Sequence, residues 1–453
     1  MQDMTTGAIR GHVLRMMAFM LVGMFTQTLY ALVDIYWVSR LGKEAIAAVS
    51  LASNLMFVVL AVSQTLSVGA VALVSQAFGA RDEPRVQYLF NQAQAQSIAA
   101  ALLFLVLGFA ARDLYAERLA GDATTAILAK SFLNWFLPAQ CLMFLMTGLG
   151  SALRGIGAMR PGLVAQVGSV LLNLLLAPFL IFGWGTGIAL GVAGAALATF
   201  IATLAAVLGL VWYLGRAGTY LRVDFGQWKP DWALWRSMLG IGLPSGAEFL
   251  IMSLILGLIY WIIRPFGAEA QAGFGIGMRL MQAGFMPAVA LSFALAAVAG
   301  QNFGARKPDR VRASFLEGAK LNIAFMLLFT AICHLAPERM LGWFSSEPLV
   351  ISVGADYLRF VSWNYVASGL IMVAAGLYQG LGNTVPSLLA SASRLLSFVV
   401  PVLWLSTRPG FDLHQVWFVS AASVFLQMLL SLGLLRREFR LKLPLPATAP
   451  RPG

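Results

Sequence analysis

The sequence predicts an all-α polytopic membrane protein, with twelve transmembrane helices in two six-helix lobes related by a parallel pseudo-twofold repeat. Three observations carry this expectation. The 453 residues are 59% hydrophobic and 11% charged, with a mean hydropathy of +0.80, whereas a soluble chain is about a quarter charged. Apolar runs of about 20 residues recur along the chain, each long enough to cross a ~30 Å hydrocarbon layer. The sequence also repeats itself 225 residues on.

In lipid, each spanning segment must satisfy its own backbone hydrogen bonds, so each apolar run is a helix. The runs place helices at 13–39, 46–75, 88–111, 126–153, 162–183, 187–215, 237–263, 270–299, 311–334, 348–379, 385–405 and 412–435. Gly and Pro punctuate the loops between them, as in G-A-R-D-E-P at 79–84 and G-A-R-K-P-D at 304–309. The first run is too long for a cleaved signal peptide.

Lys and Arg set the orientation. Both termini and the even-numbered loops, counted with Arg15 and Arg312 at the helix ends beside them, hold 19 of the 31 basic residues, the odd-numbered loops, counted with Lys130, hold 8, and Arg279, Lys320, Arg359 and Arg394 fall deeper inside helices. The richer side is cytoplasmic, which puts both termini inside a cell inner (plasma) membrane. Trp37, Trp184, Trp261 and Trp404 fall at the outer ends, where an indole prefers the interface. The same bias accounts for the net charge of +12 without nucleic-acid binding, which would need a basic soluble domain.

The repeat is legible in three places. Q-A-F-G-A-R-D-E-P-R-V from Gln76 and Q-N-F-G-A-R-K-P-D-R-V from Gln301 share seven of eleven positions. R-G-I-G-A-M-R-P-G-L-V-A from Arg154 meets Q-G-L-G-N-T-V-P-S-L-L-A from Gln379, and Gly42, Glu44, Ala45 and Ala47 meet Gly267, Glu269, Ala270 and Ala272, all at one offset. That offset spans six helices, an even number, so the halves run the same way through the membrane. The expected organisation is an N-terminal lobe at 1–215, a cytoplasmic linker at 216–236, a C-terminal lobe at 237–436 and a cytoplasmic tail at 437–453. Trp228, Trp232 and Trp235 give the linker the pattern of a short amphipathic helix on the inner face. Two like lobes sharing a midplane cleft make a transporter architecture that works by rocking one lobe against the other.

Enzyme chemistry finds no support. Cys141, Cys333, His12, His334 and His414 form no metal spacing or disulfide framework, and no nucleophile motif or phosphate loop is present. No cofactor is expected beyond a coupling ion, H⁺ or Na⁺.

Two intramembrane acids stand out. A charged acid at depth costs about 2.5 kcal/mol or more, so such a residue faces a wet cavity or a partner. Asp34 ends the apolar run T-L-Y-A-L-V-D, with Tyr30 (i−4) and Gln27 (i−7) on its face. This stripe suits a proton, an ion or an amine; pairing with Arg40 is the alternative. Glu248 lies about 12 residues, or ~18 Å, into helix 7, after Gly-Leu-Pro, where the backbone can break. Arg279 on helix 8 is either part of the substrate cavity or a permanent counter-ion to Glu248. Asp356, Arg359 and Arg394 read as structural or near the outer surface.

The chain resembles the multidrug and toxic compound extrusion (MATE) family over nearly its whole length, on the DinF-like rather than the NorM-like side. The resemblance rests on VDIYWVSRLGKEAIAAVSLA at 33–52, the two Q-x-F-G-A-R segments, LNLLLAPFLIFGWGTGIALGVAGAALAT at 172–199 and GLPSGAEFL at 242–250. It implies two six-helix bundles and export of organic cations or amphipathic drugs in exchange for H⁺ or Na⁺. Asp34 then matches the acid of the N-terminal cation site, and Asn173 is a retained supporting residue. The chain departs from the family pattern at Ala177, where many relatives carry a second acid. It also has no proline on helix 1, and Met252 and Ser368 stand where the sodium-using branch has acids.

The expected activity is cation-coupled antiport with H⁺ preferred, through Asp34, Asn173 and Glu248, with Gln27, Tyr30 and Arg279 lining the cavity. The alternatives are Na⁺ coupling or a flippase of lipid-linked or amphipathic cargo. The expected partners are a small-molecule organic cation or amphipathic substrate and the lipid bilayer, with no nucleic acid and a monomeric chain.

Overall fold

The computed structural model describes residues 2–185, 187–216 and 221–443. Linker residues 217–220 and tail residues 444–453 lie outside the described residues. The fold is all-helical: α1 (Ile9–Ser39), α2 (Lys43–Gly79), α3 (Glu83–Leu119), α4 (Ala123–Gly155), α5 (Met159–Phe182), α6 (Val192–Arg216), α7 (Trp232–Ile263), α8 (Ala268–Gly304), α9 (Pro308–Leu335), α10 (Pro337–Gly342), α11 (Pro348–Val361), α12 (Asn364–Gly380), α13 (Val385–Ser406) and α14 (Leu413–Lys442). Among the described residues, eleven helices are long and apolar enough to cross a membrane, and α11 with α12 forms a twelfth span bent by 54°.

The bend corrects the single helix expected at 348–379. No Pro or Gly marks it. The Ser362 carbonyl accepts a hydrogen bond from Thr330 Oγ1 at 3.0 Å, and the Ser362 hydroxyl donates to the Arg359 carbonyl at 3.4 Å. Side-chain bonds of this kind compete with the helical ladder and kink it.

The chain forms two compact units, one of residues 1–3 and 18–246, the other of 4–17 and 247–453. The boundaries of these units fall inside α1 and α7. In the first unit, an apolar cluster joins Val38, Phe132, Leu133, Ile181 and Ala196, and a second joins Val74, Phe90, Leu153, Leu210 and Met238. The core of the second unit is built on Phe274, Tyr357, Tyr365, Phe398 and Trp417. Leu103, Val106 and Val164 are more than 60% exposed, as an apolar surface meeting lipid requires.

The repeat reaches down to the backbone. Arg81 and Arg306, one repeat apart, are the two described non-glycine residues with positive φ, at 60° and 54°. Gly42 and Gly267 have φ of 106° and 95°, and Gly157 and Gly382 have 71° and 70°. The same turns therefore follow the same helices in both halves. Close packing explains G-L-P-S-G on α7. A Cβ on Gly242 would lie 1.9 Å from the Thr65 carbonyl oxygen of α2, so glycine lets the two helices touch. The helix runs unbroken through Pro244, which corrects the expected backbone break.

The linker forms no separate amphipathic helix among its described residues. It runs extended into a single turn at Phe225–Gln227, and Trp232 already belongs to α7, which starts after Pro230. The cause is a polar run inside α3. Asn91 accepts from the Asp224 backbone N–H at 2.9 Å and from Trp228 Nε1 at 3.2 Å. Gln92 donates to the carbonyls of Gln227 and Lys229 at 2.6 and 2.8 Å, and accepts from Trp235 Nε1 at 2.8 Å. These amides occupy the backbone groups that a linker helix would need. Asp231 caps α7, accepting from the Leu234 backbone N–H at 3.0 Å and from the Tyr88 hydroxyl at 3.0 Å. Those bonds hold its carboxyl below the usual range.

Residues 4–17 of the second unit begin as a strap on its α8–α9 turn. The Met4 backbone N–H donates to Gln301 Oε1 at 3.0 Å, and Arg310 reaches the carbonyls of Gly7 and Met4 at 3.0 and 3.1 Å.

Candidate cation and substrate site

Asp34 lies five residues before the end of α1 and is half-buried. Its Oδ1 is sealed from solvent and has no hydrogen-bond partner. The alternative partner, Arg40, is engaged elsewhere. Its guanidinium donates to the Tyr36 hydroxyl and stacks 4.8 Å from the centre of the Tyr36 ring. No ion pair to Asp34 exists among the described residues.

One turn before Asp34, the Tyr30 hydroxyl lies 2.6 Å from Thr199 Oγ1 of α6, close enough to Asp34 to feel its charge. Asn173 of α5 is 1% exposed and donates to the same Thr199 oxygen at 3.2 Å. The Thr199 hydroxyl in turn donates to the Ala195 carbonyl at 3.2 Å. A hydroxyl has one proton, so Thr199 accepts from both Tyr30 and Asn173. The Tyr30 proton is thereby committed to Thr199. A carboxylate oxygen sealed from water and given no donor is a costly group, and a proton or a cation relieves that cost.

The structure thus joins two expected residues, Tyr30 and Asn173, through a third that sequence reasoning missed, with Asp34 within electrostatic reach of Tyr30. Thr199 is one hydroxyl in the small-residue helix G-A-A-L-A-T, and no pattern marks it. Gln27 is exposed and accepts from Gln166 Nε2 at 3.2 Å. Gln166 and Asn173 are seven residues apart on α5, a shared face that was readable. Ala177, where many relatives carry an acid, is wholly buried in the apolar cluster of Val38 and Phe132.

Glu248 belongs to the second unit and sits at the middle of α7, sixteen residues after Trp232 and fifteen before Ile263. Ser387 of α13 is its hydrogen-bond partner, while Oε1 is buried and unpartnered. Arg279 is exposed, and among the described residues no ion pair joins it to Glu248. The permanent Glu248–Arg279 pair is absent. Arg359 pairs with Glu338 and lies 3.8 Å from Asp356, in a structural cluster.

Twelve spans built as a repeat, with two unsatisfied carboxyl oxygens at helix positions inside them, define a membrane transporter rather than an enzyme. The MatE family model matches residues 20–179 and 244–405, two stretches that begin one repeat apart to within a residue, and the chain belongs to that family. It is 26% identical over 413 residues to the probable multidrug resistance protein YoeA of Bacillus subtilis (strain 168), covering 90% of this chain and 89% of that one. It is 25% identical over 387 residues to an FAD transporter of Shewanella oneidensis, covering 84% of each. Among solved structures, a MATE in the bent conformation is similar at a TM-score of 0.90, with 23% identity over 97% of each chain. An outward-facing multidrug resistance MATE family transporter is similar at 0.89, with 23% identity over 98% of each.

Proposed function

We propose that the chain is a cation-coupled secondary antiporter that exports organic cations or amphipathic compounds, with H⁺ as the coupling ion and Asp34 as the shared site. The observation that carries this reading is the unpartnered Oδ1 of Asp34 beside the Tyr30–Thr199–Asn173 network. A proton on that oxygen removes the negative charge that attracts a cationic cargo, so the two ligands compete, and alternating access turns competition into exchange. Sodium needs several oxygen ligands. The Thr199 hydroxyl of the adjoining network already uses its proton and both acceptor positions, which favours H⁺. The relatives named as drug-resistance proteins support a cargo of drug-like amphiphiles. The charge bias supports a topology with both termini in the cytoplasm and the protein in a cell inner membrane.

A proton crossing ~100 mV releases about 2.3 kcal/mol, and one pH unit adds about 1.4 kcal/mol. One-for-one exchange with a monocation moves no net charge, leaving only the pH contribution, about tenfold accumulation per unit. Efflux from proteoliposomes at a valinomycin-clamped potential tests this directly. Efflux of a monocation should follow an imposed pH gradient and ignore voltage. Efflux driven by a sodium gradient at zero pH gradient would replace H⁺ with Na⁺.

A further inference from the structure

We propose that the second unit carries a binding site for an oxyanion group centred on Arg394, so that the cargo is an amphiphile bearing a carboxylate or phosphate. This rests on the transport reading above and narrows its cargo. Arg394 lies nine residues past the start of α13, about 14 Å along the axis and well inside the span. A guanidinium at that depth costs about 2.5 kcal/mol or more unless it is paired. Its Nε is sealed from solvent and without a hydrogen-bond partner, and among the described residues no acid forms an ion pair with it. Tyr357 of α11 is within electrostatic reach, but a neutral phenol does not balance the charge.

A structural arginine would bring a carbonyl or carboxylate to that Nε edge. Here the two serines on its face of α13 bond to other helices. Arg394 ends a polar stripe on α13 formed with Ser387 and Ser391, at i, i+4 and i+7. Ser387 meets Glu248 of α7, and Ser391 accepts from Gln427 Nε2 of α14 at 3.3 Å. Glu248 is therefore turned to Ser387, two turns from Arg394 along the stripe. What is left is a guanidinium whose buried Nε has no partner in the protein, the group that takes a carboxylate or phosphate bidentately.

Tetramethylrhodamine and its methyl ester make a matched pair of probes. They share the cationic xanthene and differ only in whether the benzoate is free. Binding of each to the purified full-length protein is measured by fluorescence polarisation for wild type, Arg394→Gln and Arg394→Lys. Arg394→Gln should weaken the free acid by about tenfold or more and leave the ester within about twofold. Arg394→Lys, which keeps the charge and loses the fork, should fall between. Unchanged binding of the ester shows that the variants are folded. Equal weakening of both probes, or of neither, overturns the oxyanion site alone. Failure of the wild type to bind or transport either probe overturns the amphiphile-export reading, and this site with it.

Discussion

The Tyr30 hydroxyl stands 2.6 Å from Thr199 Oγ1, one helical turn before Asp34 on α1. With the Thr199 proton on the Ala195 carbonyl and Asn173 donating to the same oxygen, Tyr30 serves as the donor in that contact. The acid one turn further along α1 is left with an oxygen that nothing in the protein satisfies. Tyr30→Phe and Thr199→Val each remove that contact, and each should reduce coupled efflux. The double variant should do little more than either single one, because all three changes remove the same bond, worth about 1 kcal/mol. Additive losses in a double-mutant cycle of efflux rates would show that the two hydroxyls act separately.

The polar run of α3 holds the linker. Gln92 is 1% exposed and satisfies two linker carbonyls and the indole N–H of Trp235. Gln92→Leu strands those groups, at a cost of about 1–3 kcal/mol. The expected result is a lower thermal midpoint and faster proteolysis within 221–231, read by mass spectrometry of the nicked protein. Unchanged cleavage there would mean that Gln92 does not fix the linker.

Asp231 makes stability depend on acidity. Hydrogen bonds from Leu234 N–H and Tyr88 depress its carboxyl below the usual range. A depressed value contributes stability above the unfolded value of about 3.9 that disappears as pH falls through the folded value. Asp231→Ala should therefore lower the melting temperature at neutral pH. Its gap to wild type should close as the acid is protonated. A gap that stays constant from neutral pH to about pH 3 would assign the loss to packing instead.

Arg306 adopts φ of 54° in a turn that matches Arg81 at 60°. A β-branched side chain tolerates that region poorly, so Arg306→Val should cost about 1–2 kcal/mol. Arg306→Gly, free of the Cβ clash, should cost less. Thermal unfolding of the two variants separates the backbone contribution from the side chain's, and equal losses would remove the strain argument.

The spans and the repeat were legible because hydropathy and an exact sequence offset report directly on helices and on duplication. Asp34 and Glu248 were legible for a related reason, since an acid in an apolar run has few innocent explanations. Tyr30 and Asn173 were readable by helical spacing and by resemblance. Thr199 was not, because a threonine that bonds its own helix's carbonyl looks the same in sequence as one that organises a site. The bend at Ser362 was hidden because its cause is a hydroxyl from another helix, Thr330. The linker misled for a similar reason. Its tryptophans are spaced as on a helix face, but Asn91 and Gln92, more than a hundred residues earlier, claim its backbone and indole groups.

The central claim is that Asp34 exchanges a proton for cargo. It is tested most directly by efflux of a fluorescent organic cation from proteoliposomes under an imposed pH gradient, comparing wild type with Asp34→Asn. Asparagine preserves the shape of the side chain and cannot carry the exchanged proton. Wild-type efflux should accelerate with the gradient, and the variant should lose most of that acceleration while remaining folded. A variant that pumps at the wild-type rate, with the same response to pH, would contradict the claim.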